Sequence, residues 1–283
     1  MLDYRVYTFL TLCEQMNYHQ TAIILNMSQP AVSQHIRYLE NELNCKLFNY
    51  ENKRLTKTKQ GKMLEEHVRS LVYNDKKFKE ALKNDSNQKI RIGATKSIGE
   101  YLIKEDIIRL NQQENLEVSL MIDNTRQLLQ NLKNAVIDFA LIEGFFDKQQ
   151  FDYQLYKVEK LVGVVSKESP LANKKVTIEQ LFNETLILRE EGSGTRDIFE
   201  LLLKHNNYTI EQFNHHIVIS SPEMIKSLIK HDVGISFMYE SLIRKKDEVA
   251  TFEIKDQRMI HELNFVYLKD TCAKANIELF KNR

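Results

Sequence analysis

Apolar positions recur at Leu2, Val6, Phe9, Leu10 and Cys13, a spacing of three to four residues that predicts a helix with one inward face over residues 2–16. "YHQTAIILNM" predicts a second, short helix. A third follows in "MSQPAVSQHIRYLENEL", where Val32, Ile36, Leu39 and Leu43 form one narrow apolar stripe. Ser28 is a natural N-cap, and Pro30 falls in the first turn, where its missing N–H costs nothing. Three short helices joined tightly are the layout of a helix-turn-helix, whose third member lies in a DNA major groove.

Beyond it, "NCKLFNYENKRLTKTKQG" is turn-rich and basic, and predicts a two-stranded wing carrying Lys53, Arg54, Lys57 and Lys59. A long polar helix follows from Lys62 to about Leu82. Leu64, Val68, Leu71, Asp75, Phe78 and Leu82 alternate at four and three residues there, a coiled-coil seam interrupted by Asp75. "KNDSNQK" is polar and rich in turn formers, and predicts a hinge. From Lys89 onward short β-rich runs ("KIRIGA", "EVSLMID", "IDFALIEG", "KLVGVVS", "ETLILRE", "HIVIS", "GISFMY", "ELNFVYL") alternate with amphipathic helices such as "IGEYLIKEDIIRLNQ" and "TRQLLQNLKN". That alternation predicts α/β units with mostly parallel sheets.

The chain has 283 residues, enough for two or three cores. Its formal net charge of +1 hides a local asymmetry. Residues 51–83 hold ten Lys or Arg (53, 54, 57, 59, 62, 69, 76, 77, 79, 83) against five Asp or Glu (51, 65, 66, 75, 80), an excess where a phosphate backbone would lie. Three scattered cysteines without metal-ligand spacing point to a reducing compartment and away from structural zinc. Asp3 and Arg5 stand where a secretory signal would be apolar, and no apolar run reaches the roughly 18 residues of a membrane span. A cytoplasmic protein with no membrane partner is expected.

"SQPAVSQHIRYLENELNCKLFNYENKRLTKTKQG" resembles the N-terminal pattern of the LysR-type transcriptional regulators, and the likeness runs nearly the whole length. "ATKSIGEYL" and "LILREEGSGTR" are similar to the branch with the sulfur-assimilation and carbon-fixation regulators. The resemblance implies an α/β fold class with an all-α winged helix-turn-helix in front. It assigns residues 1–60 to that DNA-binding head, 61–83 to a dimerising linker helix and 84–89 to a hinge. A two-lobed, periplasmic-binding-protein-like effector domain would follow, with lobe I at 90–163 and 265–283 and lobe II at 164–264. The crossings would fall near Val162–Ser166 and Asn264–Leu268. Three departures stand out: Tyr50 where the family has arginine, "MNYHQTA" for a small-residue run, and Asn44 for the glycine that ends the recognition helix. Asparagine is the next best left-handed cap.

Within this frame Ser28 and Pro30 set where the third helix starts, and Gln29, Ser33, Gln34 and Arg37 face the groove. Glutamine can bond adenine, arginine guanine, and serine a phosphate or base edge. Lys53, Arg54 and Lys57 would hold phosphates. The expected partner is double-stranded DNA at a palindromic promoter site, read by a homodimer. A homotetramer and RNA polymerase as a partner rest on the resemblance alone.

Three strand-to-helix junctions carry donors suited to a small anion: Thr95, Lys96 and Ser97; Asn124 and Thr125; and Gly192, Ser193, Gly194 and Thr195. Plain N-capping explains Asn124 and Thr125 equally well, and Lys96 points either into the cleft or into solvent. A small anionic effector and no cofactor are expected. The alternatives are a degenerate pocket answering to a protein partner, or a cytoplasmic solute-binding protein, which the basic head argues against. No catalytic constellation emerges. The serine of "EGSGT" lies directly between glycines and so is not a nucleophile elbow, and the adjacent His215 and His216 on a strand would face opposite ways.

Overall fold

The computed structural model describes residues 2–83 and 88–282, so most of the expected hinge at 84–89 lies outside the described residues. The chain divides into two compact units, residues 1–86 with 268–272, and residues 87–267 with 273–283. No helix among the described residues is long and apolar enough to cross a membrane.

The first unit runs α1 (Tyr4–Gln15), α2 (Tyr18–Ile24), α3 (Gln29–Glu42), β1 (Phe48–Glu51), β2 (Arg54–Lys57) and α4 (Lys59–Lys83). Each of the three front helices opens on a side-chain cap: Asp3 accepts from the Arg5 amide, Asn17 from Gln20 and Ser28 from Ala31. These bonds satisfy amides that no helical carbonyl can reach. The apolar stripes meet in one core of Phe9, Leu12, Cys13, Ile36, Leu39, Leu47 and Phe48. Each of its large side chains contributes about 1.5–3 kcal/mol by leaving water. Leu43 leaves the expected stripe: it is the C-cap of α3 and 46% exposed.

Asn44 takes φ +51°, and the amides of Asn44 and Cys45 turn back to the carbonyls of Asn41 and Glu40 at 3.3 and 3.1 Å. This is the left-handed stop for which asparagine substitutes for glycine. β1 and β2 pair antiparallel, with Asn52 and Lys53 at φ +49° and +61° in the turn between them. α4 passes close beneath the entry to β1: a Cβ on Gly61 would stand 2.1 Å from the Leu47 carbonyl oxygen, so only glycine fits. The expected seam on α4 divides. Leu64 and Val68 turn toward protein, whereas Leu71, Phe78 and Leu82 are 38%, 63% and 68% exposed.

The second unit continues with β3 (Gln88–Thr95), α5 (Lys96–Tyr101), α6 (Lys104–Asn111), β4 (Leu116–Asp123), α7 (Thr125–Lys133) and β5 (Phe139–Ile142). Then come β6 (Phe151–Ser166), β7 (Lys175–Val176), β8 (Thr185–Leu188), α8 (Gly194–His205), β9 (His215–Val218) and α9 (Pro222–Lys230). β10 (Ser236–Tyr239), β11 (Val249–Ile254), β12 (Ile260–Leu268) and α10 (Ala273–Lys281) complete it. One sheet runs β4-β3-β5-β12-β6-β11-β7 with β10 also on β6, and β8 pairs β9 separately.

Pairing is mixed, where mostly parallel sheets were expected. β3 is parallel to β4 and β5, and β8 to β9, but β12 runs antiparallel to β5, and β10 and β11 run antiparallel to β6. These antiparallel pairs of the second unit involve β6 or β12, and the sheet is curled. That gives the two-lobed, periplasmic-binding-protein-like fold. β6 begins nine residues before the apolar run "KLVGVVS", because its first half is a half-exposed ribbon with polar residues between apolar ones. The segment expected as one helix over residues 98–112 is broken into α5 and α6 at Leu102 and Ile103, whose amides both return to the Ile98 carbonyl.

Candidate nucleic-acid interface and effector site

On α3 the apolar stripe is buried, and the opposite edge is not. Ser28, Gln29, Pro30, Gln34 and Arg37 are exposed, and Ser33 is half-buried. The helix begins one residue before Pro30, so this edge runs from its N-cap into its third turn, at Arg37. Lys53 and Arg54 are exposed on the wing, and Tyr50 beside them is 70% exposed.

Lys57, expected as a phosphate contact, turns back onto α4 and pairs with Glu65 at 2.5 Å, its side chain 24% exposed. Glu65 also receives Arg69 at 2.8 and 3.1 Å, and Arg69 is 6% exposed. Burial pulls the Glu65 carboxyl upward, but the bonds from Lys57 and Arg69 outweigh it and hold the group below its ordinary value. Lys57 therefore joins wing to helix.

In the second unit the three junctions converge on a group that the sequence reading missed. Glu143, one residue after β5, is 1% exposed. Thr95 Oγ1 donates to its Oε2 at 2.5 Å and Ser97 Oγ to its Oε1 at 3.2 Å, while Thr125 Oγ1 donates to its backbone oxygen at 2.9 Å. Asn124 caps α7 by accepting from the Gln127 amide at 2.9 Å. From the other side comes the start of α8. Ser193 and Thr195, both buried, bond each other at 3.0 Å. Gly194 lies so close to Glu143 that a Cβ there would meet the Glu143 backbone carbonyl oxygen at 2.4 Å and its Cγ at 2.7 Å. Gly192 takes φ +83° as the chain turns into that helix.

Lys96 is partly buried, its side chain 24% exposed. Its ammonium donates to Glu190 at 3.0 Å and to the Ser220 carbonyl at 3.1 Å, bridging two segments at the cleft's margin. Arg189, 6% exposed, forks onto the same Glu190 at 3.0 and 3.3 Å. Burial raises the Glu143 carboxyl above its ordinary value, opposed by the two hydroxyls and by Arg189. For Glu190 burial also pulls upward, but Arg189 and Lys96 hold it below. Glu143, Arg189 and Glu190 had one legible signal: each ends an apolar strand run ("FALIE", "TLILRE"), the place where α/β sheets gather ligands. Among the described residues no group of three or more His, Cys, Asp and Glu is close enough to hold a metal ion.

The family pattern for a bacterial regulatory helix-turn-helix protein of the lysR family matches residues 5–62. The LysR substrate binding domain matches residues 83–283, well over half the chain. The chain is a LysR-type transcriptional regulator. It is 31% identical over 234 residues to the uncharacterized HTH-type transcriptional regulator YeiE of Escherichia coli (strain K12), covering 82% of this chain and 78% of that one. Its fold is shared with a hydrogen-peroxide-bound mutant of Corynebacterium glutamicum OxyR, at TM-score 0.60, 19% identity and coverage of 98% of this chain and 89% of that one. It is shared also with the Synechocystis CcmR regulatory domain in complex with 2-PG, at TM-score 0.59, 20% identity and coverage of 68% and 95%. The LysR-type regulator thus combines a DNA-binding head with a small-molecule effector domain, and its family regulates transcription rather than catalysing reactions.

Proposed function

We propose that the regulator reads a palindromic promoter site as a homodimer, with Gln29, Ser33, Gln34 and Arg37 on base edges and Lys53 and Arg54 on phosphates. Ser28 and Pro30 fix where that helix starts. Residues 1–60 form the head, 61–83 the dimerising helix, 90–163 with 265–283 lobe I, and 164–264 lobe II. The dimers assemble further into a tetramer that works in the cytoplasm and meets RNA polymerase at its promoter. The effector is a small anion, bound between the lobes by the hydroxyls of Thr95, Ser97, Ser193 and Thr195 and the amides around Gly192 and Gly194, within the same junctions as Lys96, Asn124 and Thr125.

One observation carries the anion reading: Thr95 and Ser97 already clasp a carboxylate, that of Glu143. Two hydroxyl donors at that spacing suit any small oxyanion. The complex of CcmR with 2-PG, a phosphorylated carboxylate, supports the same chemical class. Calorimetry of small anions against Ser97→Ala and Ser193→Ala variants tests it, each variant being expected to lose about tenfold in affinity, the worth of one charge-assisted bond. Undiminished affinity in both refutes the assignment. For the head, footprinting of Arg37→Ala should relax base preference, whereas Arg54→Ala should weaken all sequences alike and lower the salt slope by about one. Swapped behaviour refutes that division.

A further inference from the structure

The cleft contains charges that cancel. Glu143 and Glu190 are acidic, Arg189 and Lys96 basic, and the last two are both committed to Glu190. Only Glu143 lacks an ion pair of its own; hydroxyls alone hold its two oxygens. β3 and α5 bring Thr95, Lys96 and Ser97, and the segment after β8 brings Arg189 and Glu190. α7 brings Thr125 and Arg126, which packs against Gly192, and α8 brings its first turn with Asp197. The end of β10 brings Tyr239, fully buried, whose hydroxyl has no hydrogen-bond partner and feels both Glu143 and Glu159 on β6. Arg126 is exposed to solvent, and none of the buried groups supplies a spare positive charge.

An anion accepting from Thr95 and Ser97 therefore arrives within a few ångströms of a buried carboxylate. Two like charges so close, away from water, cannot both persist, and the usual resolution is that one takes a proton. We propose that Glu143 couples effector binding to a proton, so that the cleft takes one anion together with one H⁺ from solvent. The inference rests on the anion reading above and deepens it: Glu143 occupies the anion's hydroxyls in the free protein and releases them on protonation. Burial already biases Glu143 in that direction. Ionised, it makes the protein its own competitor for the site. Protonated, it becomes a hydrogen-bond donor to the incoming ligand.

The test is calorimetry on the full chain with sulfate, glycolate and malonate, which stay fully ionised between about pH 7.5 and pH 9. Buffers of different ionisation enthalpy report the protons taken up. Uptake of about one proton per anion is expected, with affinity falling about tenfold per pH unit while free Glu143 is ionised. Glu143→Gln should bind with no uptake and a flat pH profile. Binding to the wild-type chain without proton uptake overturns the inference and leaves the anion reading standing, whatever the variant does. Equal uptake in the variant does the same. If none of the three anions binds either protein, the anion reading falls and takes the inference with it.

Discussion

Replacing Glu65 by glutamine separates two effects that the wild-type joint ties together. Glu65, its side chain 14% exposed, receives Lys57 at 2.5 Å and Arg69 at 2.8 and 3.1 Å. Breaking a buried, hydrogen-bonded ion pair costs about 3–5 kcal/mol. The Lys57 half is a quarter exposed, and such pairs are worth only about 0.2–1 kcal/mol. Glutamine also retains an acceptor oxygen. The net loss for the head is about 2–3 kcal/mol, or roughly 10–20 °C in melting midpoint for a domain of its size.

The pH dependence has a definite sign. The folded pKa of Glu65 lies below its ordinary value, so its stabilisation is present above the ordinary carboxylate range and is lost as pH falls through the folded value. The gap between wild type and variant should therefore close on acidification. The same change releases Lys57 from its carboxylate. In a salt titration of DNA affinity the slope should steepen by about 0.9, the counterion yield of one added phosphate contact. A slope that stays the same or flattens would mean that Lys57 already holds phosphate in the wild-type complex. Equal stability of the two proteins would mean that the joint contributes nothing.

Two further changes probe the effector unit. Gly194→Ala puts a methyl group 2.4 Å from the Glu143 backbone carbonyl oxygen, and the overpacking should cost about 1–3 kcal/mol, read as a lower midpoint in differential scanning calorimetry; an unchanged midpoint refutes the close approach. Tyr239→Phe removes a buried hydroxyl with no hydrogen-bond partner, so stability by urea denaturation should stay level or rise by up to about 1 kcal/mol. A loss above about 1.5 kcal/mol would reveal a partner for that hydroxyl.

What the sequence made legible is what neighbouring residues decide. The start of α3 follows from Ser28 and Pro30, its buried face from the spacing of Val32, Ile36 and Leu39, and its stop from Asn44. Each is a question of which groups within five residues satisfy one backbone amide or carbonyl, and local chemistry answers it. The wing was legible as a basic, turn-rich segment, but the fate of each lysine was not. Lys53 and Lys57 look alike in the chain; only the return of α4 beneath β2 brings Glu65 to one and leaves the other in solvent.

The effector site shows the same limit in a sharper form. The three junctions could be picked out as places where strands hand over to helices, because each carries small hydroxyl or glycine residues that such turns favour. Glu143 could not, since its partners Thr95 and Ser97 lie 48 and 46 residues away, and the sequence around it is an apolar strand end. The hydroxyls and amides at these junctions suggested donors open to a small anion. The folded cleft instead already contains a carboxylate on those hydroxyls, and Lys96 and Arg189 are both spent on Glu190. A donor's availability depends on what the fold has already given it, so residue type and spacing can nominate an anion site but cannot say whether the protein fills it with a group of its own.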